Sequence, residues 1–260
     1  MTKEFVSDVA HKTVLITGAG RRIGRALAEH LGAAGWRVAV HYHHSSDEAD
    51  EVAAAVEKNG GKAATVQADL GDAASVARLV PAATRALGPL GCLINNASIF
   101  ERDDITTATI ESWDNHIAVN LRAPFFLAQA FAAQVDAKDR GVIVNVIDER
   151  VWHLTPHFAS YTVSKAGLWT LTQTLAMALA PRIRVNGVGP GPTLPSPYQS
   201  QAQFDAQCAR MPLGQGTSPQ EICAAVRFIL AAPAMTGQMI ALDGGQHLGW
   251  SQSELAAAEA

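Results

Sequence analysis

Short runs of aliphatic and β-branched residues recur along the chain, separated by longer stretches in which apolar positions return every three or four residues. The first run, Thr13 to Ile16, stops at Gly18 and gives way to the helical spacing Ile23, Ala26, Leu27, His30, Leu31. Further strands are predicted at Arg37 to Tyr42, Lys62 to Gln67, Cys92 to Asn95, Gly141 to Val146, Ile183 to Val188 and Gln238 to Leu242. Helical patterns lie between them at Asp47 to Lys58, Ala73 to Leu87, Ser112 to Val135, Ser160 to Ala180 and Pro219 to Leu230. The helix over 112–135 should bend at Pro124, where the ring removes a backbone donor. Runs such as VLI, LIN and VIVNV do not alternate with polar residues, as expected of strands covered on both faces. The pattern predicts an α/β fold with a seven-stranded, doubly wound parallel sheet and helices on both faces.

No Pro/Ser-rich linker interrupts the alternation, so the 260 residues are read as a single domain, 1–260. One segment breaks the rhythm, residues 189–212, with prolines at 190, 192, 195, 197 and 212. It reads either as a mobile substrate loop over an active site or as a surface excursion. Charged residues make up only 17%, against a typical share of about 25%. Either another subunit covers part of the surface or the large sheet alone lowers the charged share.

Charge excludes one class of partner. With 24 acidic and 20 basic residues the net charge is −4, and no basic field for nucleic acid is present. Cys92, Cys208 and Cys223 are odd in number and lack C-x-x-C spacing, so neither a disulfide framework nor a metal site is expected. The N-terminal MTKEFVSDVAHK contains no long apolar stretch, and nothing approaches the ~18 apolar residues of a membrane helix. A cytoplasmic protein with no membrane contact is the expectation.

The first turn, Thr17-Gly18-Ala19-Gly20-Arg21-Arg22-Ile23-Gly24, joins a strand to a helix. In that position Gly18 permits a sharp turn and Gly24 a close approach of the helix, with free N–H groups aimed at a pyrophosphate. This is the dinucleotide turn of a Rossmann fold. An acidic residue at the end of the second strand would favour NAD by accepting from the ribose 2′-hydroxyl. Here the segment is His41-Tyr42-His43-His44-Ser45-Ser46, with Arg21 and Arg22 nearby. Such groups ligate phosphate, so NADP(H) is predicted.

Tyr161 and Lys165 are four apart on a predicted helix and share a face. They follow Asn95-Asn96-Ala97 and Asn120 and precede Pro190-Gly191. The set resembles the short-chain dehydrogenase/reductase family from about residue 12 to 245. The resemblance implies Tyr161 as proton donor, Lys165 as the ribose-binding residue that lowers the phenol pKa, and Asn120 in the proton relay. It also implies Asp69 and Leu70 against the adenine and Asn95 near the adenosine ribose, within a homotetramer whose long helices at 112–135 and 160–180 pack across subunits; a homodimer is the smaller alternative.

Two departures narrow the field. Arg22 replaces the family's middle glycine, and Asp148 stands where its usual serine would be, thirteen residues before Tyr161. Both occur in the pteridine reductase and dihydromonapterin/dihydrofolate reductase branch. His43, His44 and Ser45 resemble that branch's phosphate-binding segment, with His44 where an arginine is common. The segments around Asp69, Asn95 to Ser98, and Arg184 to Gly191 also match, and Thr193 falls where a hydroxyl residue contacts the cofactor. Phe100 matches the aromatic that stacks on the pterin; the plainer reading is a core or lid aromatic. Phe100 and Ser98 would hold a flat ring against the nicotinamide. Tyr161 would then protonate the nitrogen of a C=N bond, with Asp148 either relaying the proton or only orienting the phenol.

Other residues carry less. Trp152, His153 and His157 could line the substrate pocket, Tyr198 could close over it, Trp250 could meet another subunit, and the tail from Ser251 to Ala260 reads as a frayed helical end. The leading functional expectation is an NADPH-dependent reductase of a pterin-like small molecule. A reductase or dehydrogenase of a ketone, aldehyde or sugar competes with it. A non-catalytic NADP(H)-binding protein is a third reading, opposed by Tyr161, Lys165 and Asn120, since a binder has no use for a proton donor.

Overall fold

Alternate residues of the first strand serve opposite cores, which is why its sequence shows no polar face. In the computed structural model, which describes residues 9–196 and 199–249, β1 (Thr13–Ile16) sends Val14 and Ile16 to one side and Leu15 to the other, all fully buried. The remaining strands are β2 (Arg37–Tyr42), β3 (Lys62–Gln67), β4 (Cys92–Asn95), β5 (Gly141–Val146), β6 (Ile183–Pro190) and β7 (Met239–Leu242). They form one sheet in the order β3-β2-β1-β4-β5-β6-β7, with every neighbouring pair parallel.

Three helices cover the face that receives Val14: α1 (Arg22–Ala33), α2 (Ser46–Lys58) and α8 (Pro219–Ala231). On the opposite face, α3 (Ala73–Leu87), α5 (Ala123–Gln134) and α6 (Ala159–Leu179) pack around Leu15, Leu93, Phe131 and Ile143. The fold is a seven-stranded doubly wound sheet of the Rossmann type. The strand order reverses between β1 and β4, and a ligand crevice belongs at that switch point, beyond the carboxyl ends of the strands.

Two segments depart from the sequence pattern. The expected helix over 112–135 is instead α4 (Ile110–Ile117), a π-helical turn over Ala118–Arg122, and α5. A capping box between Thr109 and Ser112 starts α4 two residues early. The irregularity comes from the widened turn, in which the Ala123 N–H donates to the Ala118 carbonyl, while Pro124 sits in the first turn of α5 where its missing donor costs nothing.

The proline-rich segment contains α7 (Gln201–Ala209), begun by a second capping box of Ser200 and Gln203. No residue of α7 is buried, and its glutamine-rich sequence has no apolar period to reveal it. Tyr198, Trp250 and the tail after it lie outside the described residues. Among the described residues no helix is long and apolar enough to cross a membrane, and no group of three or more His, Cys, Asp or Glu side chains could hold a metal ion.

Candidate active site

The turn after β1 is built by two glycines and one histidine. Gly18 has φ +62°, and a Cβ on Gly24 would lie 2.2 Å from the Gly18 carbonyl oxygen. The Gly18 N–H donates to His41 Nδ1 at 2.9 Å, and His41 Nε2 donates to the Ala68 carbonyl at 3.1 Å. Burial lowers the His41 pKa to about 4, so the ring is neutral and acts as a strut between the turn and the end of β3. His41 therefore faces inward, unlike His43 and His44 beside it.

Asn96 ties the end of β4 to the same turn, donating to the carbonyls of Thr17 and Gly18 at 2.8 and 3.2 Å. Asn95, expected near the adenosine ribose, is buried in the sheet and donates to Asn145 Oδ1 at 2.8 Å; it borders neither cavity. The alternation of side chains along β4 makes Asn96, not Asn95, the residue that meets the crevice.

Two adjoining cavities follow the switch point, of about 620 and 810 Å³. Gly18, Arg21, Ala97 and Ser98 border both. His43, His44, Ser45, Asp69 and Leu70 line the smaller. Arg22, Ile23, Gly24, Tyr161, Lys165, Pro190, Gly191 and Thr193 line the larger.

The two arginines of the turn part company. Arg21 is extended (φ −141°) and its guanidinium meets Glu48 at 2.6 Å, near the histidines. Arg22 is left-handed (φ 51°) and donates to the carbonyls of Pro195 and Leu194 at 2.8 and 3.2 Å. The expected phosphate cluster of Arg21, Arg22, His43 and His44 thus loses Arg22, which instead ties the turn to the segment after β6. Arg21, at the N-cap of α1, offers no side-chain cap, so the helix start keeps donors for an anion.

In the larger cavity the Tyr161 hydroxyl donates to Asp148 Oδ2 at 2.7 Å, while Asp148 Oδ1 accepts from the Arg150 N–H at 2.8 Å. Burial, and then the charge of Asp148 and the hydrogen bond to it, push the Tyr161 pKa well up. Lys165 is buried, donates to the Val146 carbonyl at 2.9 Å, and has its pKa lowered by burial to about 8. Asn120, on the π-helical turn, accepts from the Ile99 N–H at 2.8 Å and donates to Ser164 Oγ at 3.0 Å. It stands behind the wall of the cavity and also accepts from Ser98 Oγ at 3.2 Å.

Phe100, 39% exposed, stacks on Phe158 with centroids 4.5 Å apart and meets the Tyr161 ring edge-on at 4.7 Å. Thr193 turns its hydroxyl to the Gly191 carbonyl at 2.9 Å. Trp152, His153 and His157 do not border the cavity; Trp152 packs edge-on against Trp169 and His247. Arg150 and Phe158 take the places expected of them, with the guanidinium 5.0 Å from the Phe158 ring centre.

Glu149 joins the site without any sequence signal to announce it. It is 3% exposed, and its Oε2 is closed to solvent without a hydrogen-bond partner. Burial, and then the charges of Asp148 and Asp243, raise its pKa to about 8, so the carboxyl is protonated at neutral pH. Its neighbour Asp148 is marked only by the family resemblance, which puts a serine at that position, and Asp243 arrives from the far end of the chain.

Comparison with known proteins adds to this geometry. Residues 12–206 match the model of the short chain dehydrogenase family. The chain is 35% identical over 250 residues to 3beta-hydroxysteroid dehydrogenase 1 of Eggerthella lenta, covering 93% of this chain and 95% of that protein. It is similar to the crystal structure of FolM alternative dihydrofolate reductase 1 from Brucella canis complexed with NADP, with 45% identity, a TM-score of 0.91, and coverage of 95% of this chain and 98% of that one. The angucycline C-6 ketoreductase LanV with bound NADP gives 35% identity, a TM-score of 0.86, and coverage of 94% and 98%.

Proposed function

The chain belongs to the short chain dehydrogenase family, and on that premise we propose that it is an NADPH-dependent reductase of a pterin or pterin-like C=N substrate. The observation that carries this reading is the Tyr161–Asp148 pair and the partly exposed ring of Phe100, in edge-on contact with Tyr161, on the wall of one cavity. A planar heterocycle matches that aromatic wall, and a nitrogen to be protonated matches a phenol backed by a carboxyl.

The residues fit a dinucleotide with a 2′-phosphate. The uncapped start of α1, the Gly18 turn and the cluster of Arg21, His43, His44 and Ser45 supply donors for the phosphates, and Lys165 and Thr193 border the nicotinamide end. NADP in the FolM and LanV structures supports the choice. Bound there, the reduced nicotinamide supplies a hydride to the substrate carbon. Tyr161 gives its proton to the substrate nitrogen, Lys165 stabilises the phenolate left behind, and Asp148 orients the hydroxyl and shares its proton. Asn120 holds the Ser98–Ile99 wall in register with α6 through Ser164.

The ketone-reducing alternative draws on the likeness to the steroid dehydrogenase and to the ketoreductase. Against the non-catalytic reading stands the bonded Tyr161–Asp148 pair. Exposed Trp113, Phe125, Phe126, Val163 and Met177 on α4, α5 and α6 support a homotetramer built through these helices. Unpaired thiols at Cys92, Cys208 and Cys223 support a cytoplasmic location, and the continuous sheet supports one domain over 1–260.

A crystal structure with NADP⁺ and a pterin or folate analogue tests the reading. The expected result is a ring stacked on Phe100 with a nitrogen in hydrogen-bond reach of Tyr161 Oη; a ring bound away from both overturns it.

A further inference from the structure

Helix α6 carries both Tyr161 and Lys165, yet nothing local caps it. Its N-cap residue, Phe158, has no side-chain acceptor for the helix and takes a left-handed conformation at φ 58°, which is strained for an aromatic residue. Three successive N–H groups at the start of the helix, those of Phe158, Ala159 and Ser160, are met by one distant residue, Asp103, in the loop after β4. Its main-chain carbonyl accepts from the Phe158 N–H at 2.6 Å and the Ala159 N–H at 3.3 Å. Its carboxylate accepts from the Ser160 N–H at 3.1 Å and from the Ser160 hydroxyl.

The contact is buried. Asp103 is 3% exposed, and Ser160 and His116 are fully buried. The Glu101 N–H donates to His116 Nε2 at 3.2 Å, which leaves the ring proton on Nδ1, between the Ser112 carbonyl at 2.9 Å and Ser160 Oγ at 2.7 Å. Ser160 can therefore accept from His116 while donating to Asp103. The Ser112 hydroxyl of α4 adds a bond to the same carboxylate at 3.1 Å. The brace spans the loop, α4 and α6.

The loop it holds is the one that carries Phe100, whose ring lies parallel to Phe158 (7°) and edge-on to Tyr161 (76°). We propose that Asp103 and Ser160 are positioning residues, which lock the loop bearing Phe100 to the helix bearing Tyr161 and so hold the two rings in the relative placement that a planar substrate meets on the cavity wall. Neither residue touches the cavity; they act through Phe100, Phe158 and Tyr161. The choice of probe rests on the pterin-like reading, but the brace itself does not.

A double-mutant cycle separates this role from ordinary helix capping. Asp103→Asn, Phe100→Ala and the double variant are compared for kcat, KM and NADPH affinity with dihydrobiopterin as the probe. Asp103→Asn is expected to raise KM and to lower kcat/KM roughly tenfold or more, with NADPH Kd unchanged within about twofold. In the Phe100→Ala background the same substitution should cost little, because no ring remains to be aligned. Losses that multiply, or a fall in NADPH affinity parallel to kcat/KM, overturn the proposal. Should Asp103→Asn not fold, Ser160→Ala, which deletes one bond of the brace, enters the cycle in its place with a smaller effect of the same pattern. If the wild-type protein reduces ketones and not pterins, the functional reading fails and the cycle, run on an aromatic ketone, still decides the brace.

Discussion

The two cavities are made in different ways. The smaller one, at the β1–α1 and β2–α2 connections, is backbone-built: glycines, a helix start and a neutral His41 strut fix main-chain donors, and its charged side chains are exposed. The larger one, around Tyr161, is side-chain-built from segments far apart in the chain, and among its lining side chains Glu149, Lys165 and most of Tyr161 are buried. A site that recognises a constant ligand can rely on main-chain geometry. A site that must hold and move a proton needs titratable groups taken out of water, where neighbours shift their pKa values. The difference predicts that substitutions near the first cavity change cofactor selectivity, and those near the second change pH dependence.

The largest effect that would test this contrast is expected at the two arginines of the glycine turn. Arg21→Ala should lower the preference for NADPH over NADH roughly 10- to 100-fold, the scale of one charge-assisted contact to phosphate. Arg22→Ala should leave the preference within about twofold while raising KM for the second substrate, because its guanidinium holds the carbonyls of Leu194 and Pro195. Titration of both variants with both cofactors is the check, and equal losses of preference would erase the distinction between the two side chains.

A smaller effect is expected from Glu149, and its sign follows from linkage. The folded pKa is raised from 4.5 to about 8, so the folded state binds the proton more tightly than the unfolded chain. The stability this adds is complete below the unfolded value and is lost as pH rises through the folded one. Between pH 5 and 8 the Tm of the wild-type protein should therefore fall relative to that of Glu149→Gln, by several degrees. Parallel melting curves across that range would show that Glu149 holds no proton of its own.

The same division governs what the sequence revealed. The central strands, β1, β4 and β5, were legible because apolar runs of this length that do not alternate, bounded by turn residues, belong to strands covered on both faces, and the cofactor turn because Gly18 and Gly24 act within a single connection. Tyr161 and Lys165 share one face of one helix, but they and Asp148 were legible as a site only through the resemblance to the short-chain dehydrogenase/reductase family, whose tyrosine, lysine and serine positions they occupy. Distance in the chain hid the rest. Asp103 caps a helix that begins more than fifty residues later, and the bond is visible only once the loop is folded back. The π-helical turn at Asn120 depends on a shift in backbone pairing that apolar periodicity does not encode, and the direction of Arg22 depends on a backbone angle usually reserved for glycine. Asn95 and Asn96 were indistinguishable until the register of β4 against β5 assigned one to the sheet and the other to the crevice.

If the Tyr161–Asp148 pair and the Phe100 wall form a site for reducing a flat C=N heterocycle, the turnover rates must rank substrates accordingly. Steady-state NADPH oxidation by the wild-type protein, measured with dihydrobiopterin, dihydrofolate and a panel of ketones, aldehydes and sugars, gives that ranking. The expected result is a kcat/KM for at least one of the two pterins above that of every carbonyl compound, by tenfold or more. Efficient ketone turnover with none on either pterin would contradict it.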